Sequence, residues 1–386
     1  MTHVTASGPP LACFAVAAPG LAPLVEQELR QLACRYRLEL DGVETGGVAF
    51  RADTAGLYAA NLQLRIASRV LVRLGAFHAA AFGELERHAL RLPWARFVAP
   101  GRPLAFRVTS KKSRLYHQEA VAQRLAGAAA ASVGAHFDSD APPQEFVVRL
   151  YRDRCTISAD ASGELLHRRG YRLAVAKAPL RETLASAMLA AIGWSGAVPL
   201  IDPLCGSGTI PIEAALLARR IPPGLGRDFA VLQWPEFDEP EWRRVVEEAR
   251  AGVLPAAPSR ILGSDRDAGA VAAAAANAER AGVARDIEWR RAAISAIAPP
   301  ADTGWIVTNP PYGLRVGDRR KLRDLFAQFG NVARRCCPGW SVAFLASHPE
   351  LERQTGLDPA PVFASENGGI RVRLVQARVR HEGVTG

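Results

Sequence analysis

From residue 183 onward, segments with helical spacing alternate with short apolar runs, and that alternation leaves few folds open. Residues 198–201, 261–265, 286–290, 305–308 and 340–347 read as strands, and 209–219, 268–281 and 319–335 read as helices. Strands joined through helices run parallel, because the helical crossover carries the chain back to the starting end of the sheet. Residues 362–365 and 369–379, joined through Glu366-Asn367-Gly368, add a final hairpin. The expectation is an α/β fold with a doubly wound, mainly parallel seven-stranded sheet. Ligands in such sheets bind beyond the carboxyl ends of the strands.

Two turns with chemistry-bearing residues follow the first two of these strands. Asp202-Pro203-Leu204-Cys205-Gly206-Ser207-Gly208-Thr209 leads into a helix with Pro211 and Glu213 near its start. Glycines in such a turn let the backbone approach a ligand closely. The third glycine of the dinucleotide fingerprint is missing, and no lysine follows as a phosphate-binding loop requires. Read alone, this turn leaves a nicotinamide site, a nucleoside-triphosphate site and a plain structural turn open. Asp265 ends the second strand, placed either to accept hydrogen bonds from both ribose hydroxyls of a nucleoside ligand or merely to cap the next helix.

About a hundred residues after Asp202, Asn309-Pro310-Pro311-Tyr312 follows the apolar run 305–308. An aromatic amine attacks poorly because its lone pair is delocalised into the ring. An Asn side-chain oxygen and the next proline's carbonyl can accept both of its N–H bonds, drawing the nitrogen toward tetrahedral geometry. Proline rigidity holds that carbonyl, and Tyr312 is placed to stack on the base. Together the motifs suggest methyl transfer to an exocyclic nucleobase amine.

Residues 201–215, Asn277 with Ala281-Gly282-Val283, and 307–313 resemble the class I S-adenosylmethionine-dependent RNA guanine-N2 methyltransferases that carry an N-terminal THUMP domain. The run His167-Arg168-Arg169-Gly170-Tyr171-Arg172, leading to Ala178-Pro179-Leu180-Arg181-Glu182-Thr183-Leu184-Ala185, resembles them too. The resemblance covers nearly the whole chain. It implies a Rossmann-like methyltransferase domain at 183–386, a linker at 166–182, a THUMP RNA-binding domain at 53–165 and a ferredoxin-like α+β part at 1–52. It also implies S-adenosylmethionine as cofactor and structured RNA, ribosomal or transfer, as partner. Asp202 and the backbone of Gly206, Ser207, Gly208 and Thr209 would hold the amino-acid end of the cofactor, and Asp265 its ribose, with Cys205 and Arg266 as further cofactor contacts. Glu182 and Thr183 would close over it, while Asn309, Pro310 and Tyr312 orient the base and Asn309 also borders the cofactor. One departure stands out: related enzymes usually carry an acid near the cofactor's adenine amine, where this chain reads Arg291-Ala292-Ala293-Ile294-Ser295. Backbone groups or Ser295 would then make that contact. Adenine-N6 methylation, and an RNA-binding assembly factor without activity, are the alternatives.

Composition fits a polyanion partner. Residues 1–175 carry 22 Lys/Arg against 15 Asp/Glu and the remainder 26 against 23, within a formal net charge of +10. A solvated basic surface would look the same. Six cysteines without C-x-x-C spacing fit a reducing cytoplasm and indicate no metal, and no apolar run reaches the length of a membrane span.

In the front half, strands are expected at 11–17, 43–50 (a pair turning at Gly46-Gly47), 69–75, 104–109, 145–151 and 154–159. Helices are expected at 21–32, 55–67, 82–90 and 118–134. The loop Lys111-Lys112-Ser113-Arg114-Leu115-Tyr116-His117, with Arg107 on the strand before it, is the local RNA-contact candidate or an ordinary solvated helix entry. Arg168, Arg169 and Arg172 either grip phosphate or pin the domain interface through buried ion pairs. In the insertion 221–257, Trp234, Phe237 and Trp242 are expected to form a small core of their own, in preference to stacking on bases.

Overall fold

The computed structural model describes residues 9–133, 142–172, 180–311 and 319–380. They form two compact units, each built on a seven-stranded sheet.

The first unit opens with β1 (Leu11–Val16), α1 (Ala22–Ala33), β2 (Leu38–Glu44), β3 (Gly47–Ala52), α2 (Thr54–Gln63) and β4 (Arg69–His78). It continues with α3 (Phe82–Ala89), β5 (Leu104–Lys111), α4 (Gln118–Val133), β6 (Gln144–Tyr151) and β7 (Arg154–Asp160). The strand order is β2-β3-β1-β4-β7-β6-β5, and only β5 and β6 pair in parallel. Strand β4 pairs with both β1 and β7, so one continuous sheet spans the ferredoxin-like and THUMP regions. The expected strand pair at 43–50 is a longer hairpin that starts at Leu38. Helix α2 ends at Gln63 instead of running to 67, because Leu64 turns to extended backbone.

Residues 227–247, which lie in sequence between strands of the other sheet, belong to this first unit. That corrects the expectation of a separate small core. Trp234 packs edge-on against Phe97 at 4.8 Å and donates from Nε1 to Gln144 at 2.9 Å. Phe237 and Trp242 lie 5.9 and 5.5 Å from the Tyr58 ring. These large rings bury their apolar area against Tyr58 of α2, Phe97 and the start of β6, which a 21-residue piece could not achieve alone.

The second unit comprises α5 (Glu182–Ala191), β8 (Leu200–Asp202), α6 (Thr209–Ala218), β9 (Ile261–Asp265), α8 (Ala268–Arg280), β10 (Ile287–Arg291) and β11 (Trp305–Thr308). It closes with α9 (Arg319–Cys336), β12 (Ser341–Ala346), α10 (Pro349–Gln354) and the hairpin β13 (Ala360–Asn367) and β14 (Ile370–Arg378); α7 (Glu239–Ala251) precedes β9 in sequence. The order β10-β9-β8-β11-β12-β14-β13 is parallel through β12 and antiparallel from β14 outward. After β8 the chain moves outward to β9 and β10; it then returns to the other side of β8 as β11. That reversal opens a crevice at the ends of β8 and β11, where Asp202 and Asn309 stand.

Helix α9 covers this sheet with Phe326 and Phe329 against Phe344, in a buried cluster with Trp340, Ile306 and Ile294. Its polar side is the remaining face of the same 3.6-residue period.

Candidate cofactor and base site

The turn after β8 is fixed from several sides. Cys205 N donates to Ser264 O at 2.9 Å, Gly206 N to the Asp265 carboxylate at 3.1 Å, and buried Asn277 donates from Nδ2 to Ser207 O at 2.9 Å. The two glycines do different jobs. Gly208, at φ +83°, would place a Cβ 2.7 Å from the Trp289 ring and 2.9 Å from Ala274, so it permits close packing. Gly206, at φ +51°, faces open space, as backbone must to cradle a ligand. The free N–H groups of the first turn of α6 lie just beyond.

Asp202 is almost wholly buried, and its Oδ1 accepts from Thr308 Oγ1 at 2.7 Å and from Leu204 N at 3.2 Å. Burial pushes its carboxyl up to about 7, against the lowering effect of those donors, while Asp265 raises it further. A buried carboxylate of this kind gains by meeting a cation, as the ammonium of an amino-acid ligand supplies. Asp265 is half-buried and accepts from Asp267 N at 3.0 Å. The cap of α8 is Asp267, which accepts from Gly269 N at 2.7 Å; Asp265 is therefore not the cap.

A cavity of about 800 Å³ takes residues from all three turns. Pro203, Leu204, Asp265 and Arg266 form one side, and Asn309 and Pro311 another. On the side where an acid is missing, the wall is Ala292, Ala293 and Ile294; Ser295 is exposed outside that lining. Helix α9 closes the cavity with Lys321, Asp324, Leu325 and Gln328. These residues escaped the sequence reading. Their spacing, complementary to buried Leu322, Phe326 and Phe329, is the signal that could have exposed them. Asn309 is half-buried and Pro310 buried. Tyr312 lies outside the described residues.

Glu182 and Thr183 are buried in the first turn of α5. Arg172 binds the Glu182 carboxylate at 2.9 Å and donates to Leu180 O at 2.9 Å; burial nevertheless pushes Glu182 up to about 7. Glu213, fully buried, accepts from Ser186 at 2.6 Å and Tyr171 at 3.1 Å and has Arg169 3.6 Å away. Arg169 and Arg172, read either as phosphate grips or as partners in buried ion pairs, lie against buried carboxylates, which would be costly to bury unpaired. Arg168 is exposed. His167 is held down to about 4 by burial and by Arg181, Arg168, Arg169 and Arg172 around it, so its imidazole is neutral.

In the first unit, Arg107, Lys111, Lys112, Arg114 and Tyr116 are all exposed. Arg107 pairs with Glu145 at 2.8 Å. The basic loop is joined to the β6–β7 turn: Arg152 N donates to Lys111 O at 3.3 Å, Arg114 N to Asp153 at 2.7 Å, and Asp153 N to Ser113 Oγ at 3.0 Å. Lys112, Arg152 and Asp153 all take left-handed backbone there. Tyr116 is 66% exposed with His117 against it at 4.1 Å; Tyr151 is 39% exposed with Arg149 and Arg152 over its ring at 6.0 and 5.4 Å. Tyr151 and its arginines were missed, because strand alternation alone does not say which exposed positions converge with a distant loop.

Among the described residues, no cluster of His, Cys, Asp or Glu could hold a metal ion, and no helix is long and apolar enough to cross a membrane.

Residues 169–376 match the family model described as RMKL-like, methyltransferase domain, residues 12–71 the RlmL ferredoxin-like domain and residues 79–160 the THUMP domain. A Synechocystis sp. protein named "Putative RNA methyltransferase" is 34% identical over 370 residues, 94% of this chain and 95% of the relative. The Methylococcus capsulatus protein named ribosomal RNA large subunit methyltransferase K/L is 36% identical over 376 residues; the match takes in 94% of this chain but only 50% of that relative. A Listeria monocytogenes crystal structure, described as a "predicted N6-adenine-specific DNA methylase", superposes with TM-score 0.88 at 32% identity over 96% of each chain. The structure of SMU.472, described as "a putative methyltransferase complexed with SAH", superposes with TM-score 0.86 at 28% identity over 98% of this chain and all of that one.

Proposed function

The chain belongs to the RMKL-like methyltransferase family, and from that premise we propose that it methylates the exocyclic N2 amine of a guanine in ribosomal RNA. It is an S-adenosylmethionine-dependent enzyme. The observation that carries the reading is that Asn309, the candidate amine orienter, lines the same cavity as Asp265, the candidate ribose acceptor. When bound, S-adenosylmethionine supplies an electrophilic methyl group on sulfur.

The residues present fit that cofactor. Gly206 leaves backbone open to it, Asp202 offers a carboxylate to its ammonium, and Asp265 sits at the edge of the cavity. Asn309 Oδ1 and the Pro310 carbonyl would accept the two N–H bonds of the target amine, with Tyr312 stacked on the base. Holding the amine in line is the main contribution, a proximity effect worth roughly 7–11 kcal/mol.

RNA would dock on the first unit through Lys111, Lys112, Arg114 and Tyr116, extended by Arg149, Tyr151, Arg152 and Arg154 of the β6–β7 hairpin. Cations there meet phosphates and the tyrosines meet unpaired bases. Arg168 is a further phosphate contact in this reading. We place the enzyme in the cytoplasm, where its RNA substrate is found.

Adenine-N6 transfer is the second reading, because the motif serves several amines and the Listeria structure is described in those terms. Mass spectrometry of nucleosides from size-fractionated ribosomal and transfer RNA separates the two, comparing a strain lacking this protein with its parent. Loss of N2-methylguanosine from ribosomal RNA is expected; loss of a methyladenosine instead would overturn the assignment of the base.

A further inference from the structure

Strands β8 and β11 are parallel neighbours at the centre of the second sheet, with Leu200 opposite Trp305 and Ile201 opposite Ile306. The next residue on β8 is Asp202; beyond Ile306 and Val307 on β11 comes Thr308, directly before Asn309. Both side chains are buried, Asp202 at 1% exposure and Thr308 at 0%. Thr308 donates to Asp202 Oδ1 at 2.7 Å, and Leu204 N reaches the same oxygen at 3.2 Å. With both donors on Oδ1, the carboxylate is held in one orientation.

We propose that Thr308 is a positioning residue that holds the Asp202 carboxylate toward the ammonium of the methyl donor. The proposal rests on the reading of Asp202 as the residue that holds the donor's amino-acid end. Two motifs a hundred residues apart are then joined by one hydrogen bond. The segment that presents Asn309 to the base also sets the charge that holds the cofactor.

The charged and titratable surroundings make this donor consequential. Burial raises the Asp202 carboxyl, and Asp265 on neighbouring β9 raises it again. Cys205 on the adjoining turn is a neutral thiol, its own ionisation suppressed first by burial and then by Asp202 and Asp265. Among the described residues, the Thr308 hydroxyl and the Leu204 N–H act in the other direction. Hydrogen bonds to the charged form favour it, and here one of the two comes from a side chain that substitution can remove.

The test is isothermal titration of the full chain with S-adenosylmethionine between pH 6 and 8, for the parent, Thr308→Val, Thr308→Ser and Asp202→Asn. Valine keeps the branched shape and removes the donor; serine restores the donor. Thr308→Val should raise the titration midpoint of cofactor binding by about one pH unit, which weakens binding about tenfold at pH 6 and much less at pH 8. Thr308→Ser should return to within about threefold of the parent. The cofactor's own titrations cancel in the ratio of variant to parent. A Thr308→Val affinity equal to the parent's at every pH, or a uniform loss with no pH dependence, would overturn the proposal. If Asp202→Asn binds as tightly as the parent, the reading of Asp202 itself fails. If Asp202→Asn binds weakly while Thr308→Val matches the parent, that reading stands and only the role of Thr308 falls.

Discussion

Asn277 of α8 donates from Nδ2 to the carbonyl of Ser207 at 2.9 Å, fixing the middle of the glycine turn from a neighbouring helix. The side chain is buried, and Arg280 donates to its Oδ1. Asn277→Ala strips the Ser207 carbonyl of this donor, a loss of about 1–3 kcal/mol. The expected outcome is a lower melting temperature together with at least about tenfold weaker S-adenosylmethionine binding. Asn277→Ala with parental cofactor affinity would show that the turn does not need this tie.

Glycine positions separate close packing from open space. A Cβ on Gly330 would sit 1.7 Å from Thr355 O, whereas one on Gly127, in the exposed middle of α4, meets nothing within 4 Å. Gly330→Ala should destabilise the protein by at least about 1–3 kcal/mol through forced backbone movement. Gly127→Ala should stabilise it by about 0.5–1 kcal/mol through helix propensity. Denaturant unfolding of both variants checks the signs, and opposite signs are required.

Two carboxyls, Asp202 and Glu182, are raised to about 7 in the folded protein, in both cases chiefly by burial. A folded-state pKa above the unfolded value means the folded state binds more protons between about pH 4 and 7. Their contribution to stability is therefore fully present below about pH 4 and is lost as pH rises through about 7. Cofactor binding has the opposite sign, because an ammonium requires ionised Asp202. Scanning calorimetry should show that the melting shift produced by saturating S-adenosylmethionine is smaller at pH 6 than at pH 8. A shift larger at pH 6 would exclude Asp202 as the ammonium partner.

Tyr116 and Tyr151 are the exposed aromatics of the basic corner. If unpaired bases stack on them, Tyr116→Ala and Tyr151→Ala should each weaken RNA binding by roughly 1–3 kcal/mol with little change in its salt dependence. Lys111→Ala and Arg114→Ala should each lower the salt slope by about one. Fluorescence anisotropy across a salt series distinguishes the two signatures, and tyrosine variants that bind like the parent would remove stacking from the account.

Local chemistry was readable and distant pairing was not. Strand ends at Asp202, Asp265 and Thr308 could be placed because glycine turns and apolar runs report backbone geometry directly. Whether Asp265 capped α8 was settled only by the position of Asp267, two residues on. Arg169 and Arg172 could be read equally as phosphate grips or as ion-pair partners, because the carboxylates they meet, Glu213 and Glu182, lie in helices beyond them in sequence. Trp234 and Trp242 read as aromatic core, but a period in sequence does not name the surface that receives them. The α9 wall of the cavity was hidden for the same reason: a polar helix face looks alike toward solvent and toward a ligand.

The most direct test of the site is Asn309→Ala, assayed for methyl transfer to RNA under single-turnover conditions and for S-adenosylmethionine binding by calorimetry. Asn309 is expected to act on the amine far more than on the cofactor. Asn309→Ala should lower the methyl-transfer rate by about 10²–10³ while leaving cofactor affinity within about threefold of the parent. A rate that survives within a few fold would contradict that role.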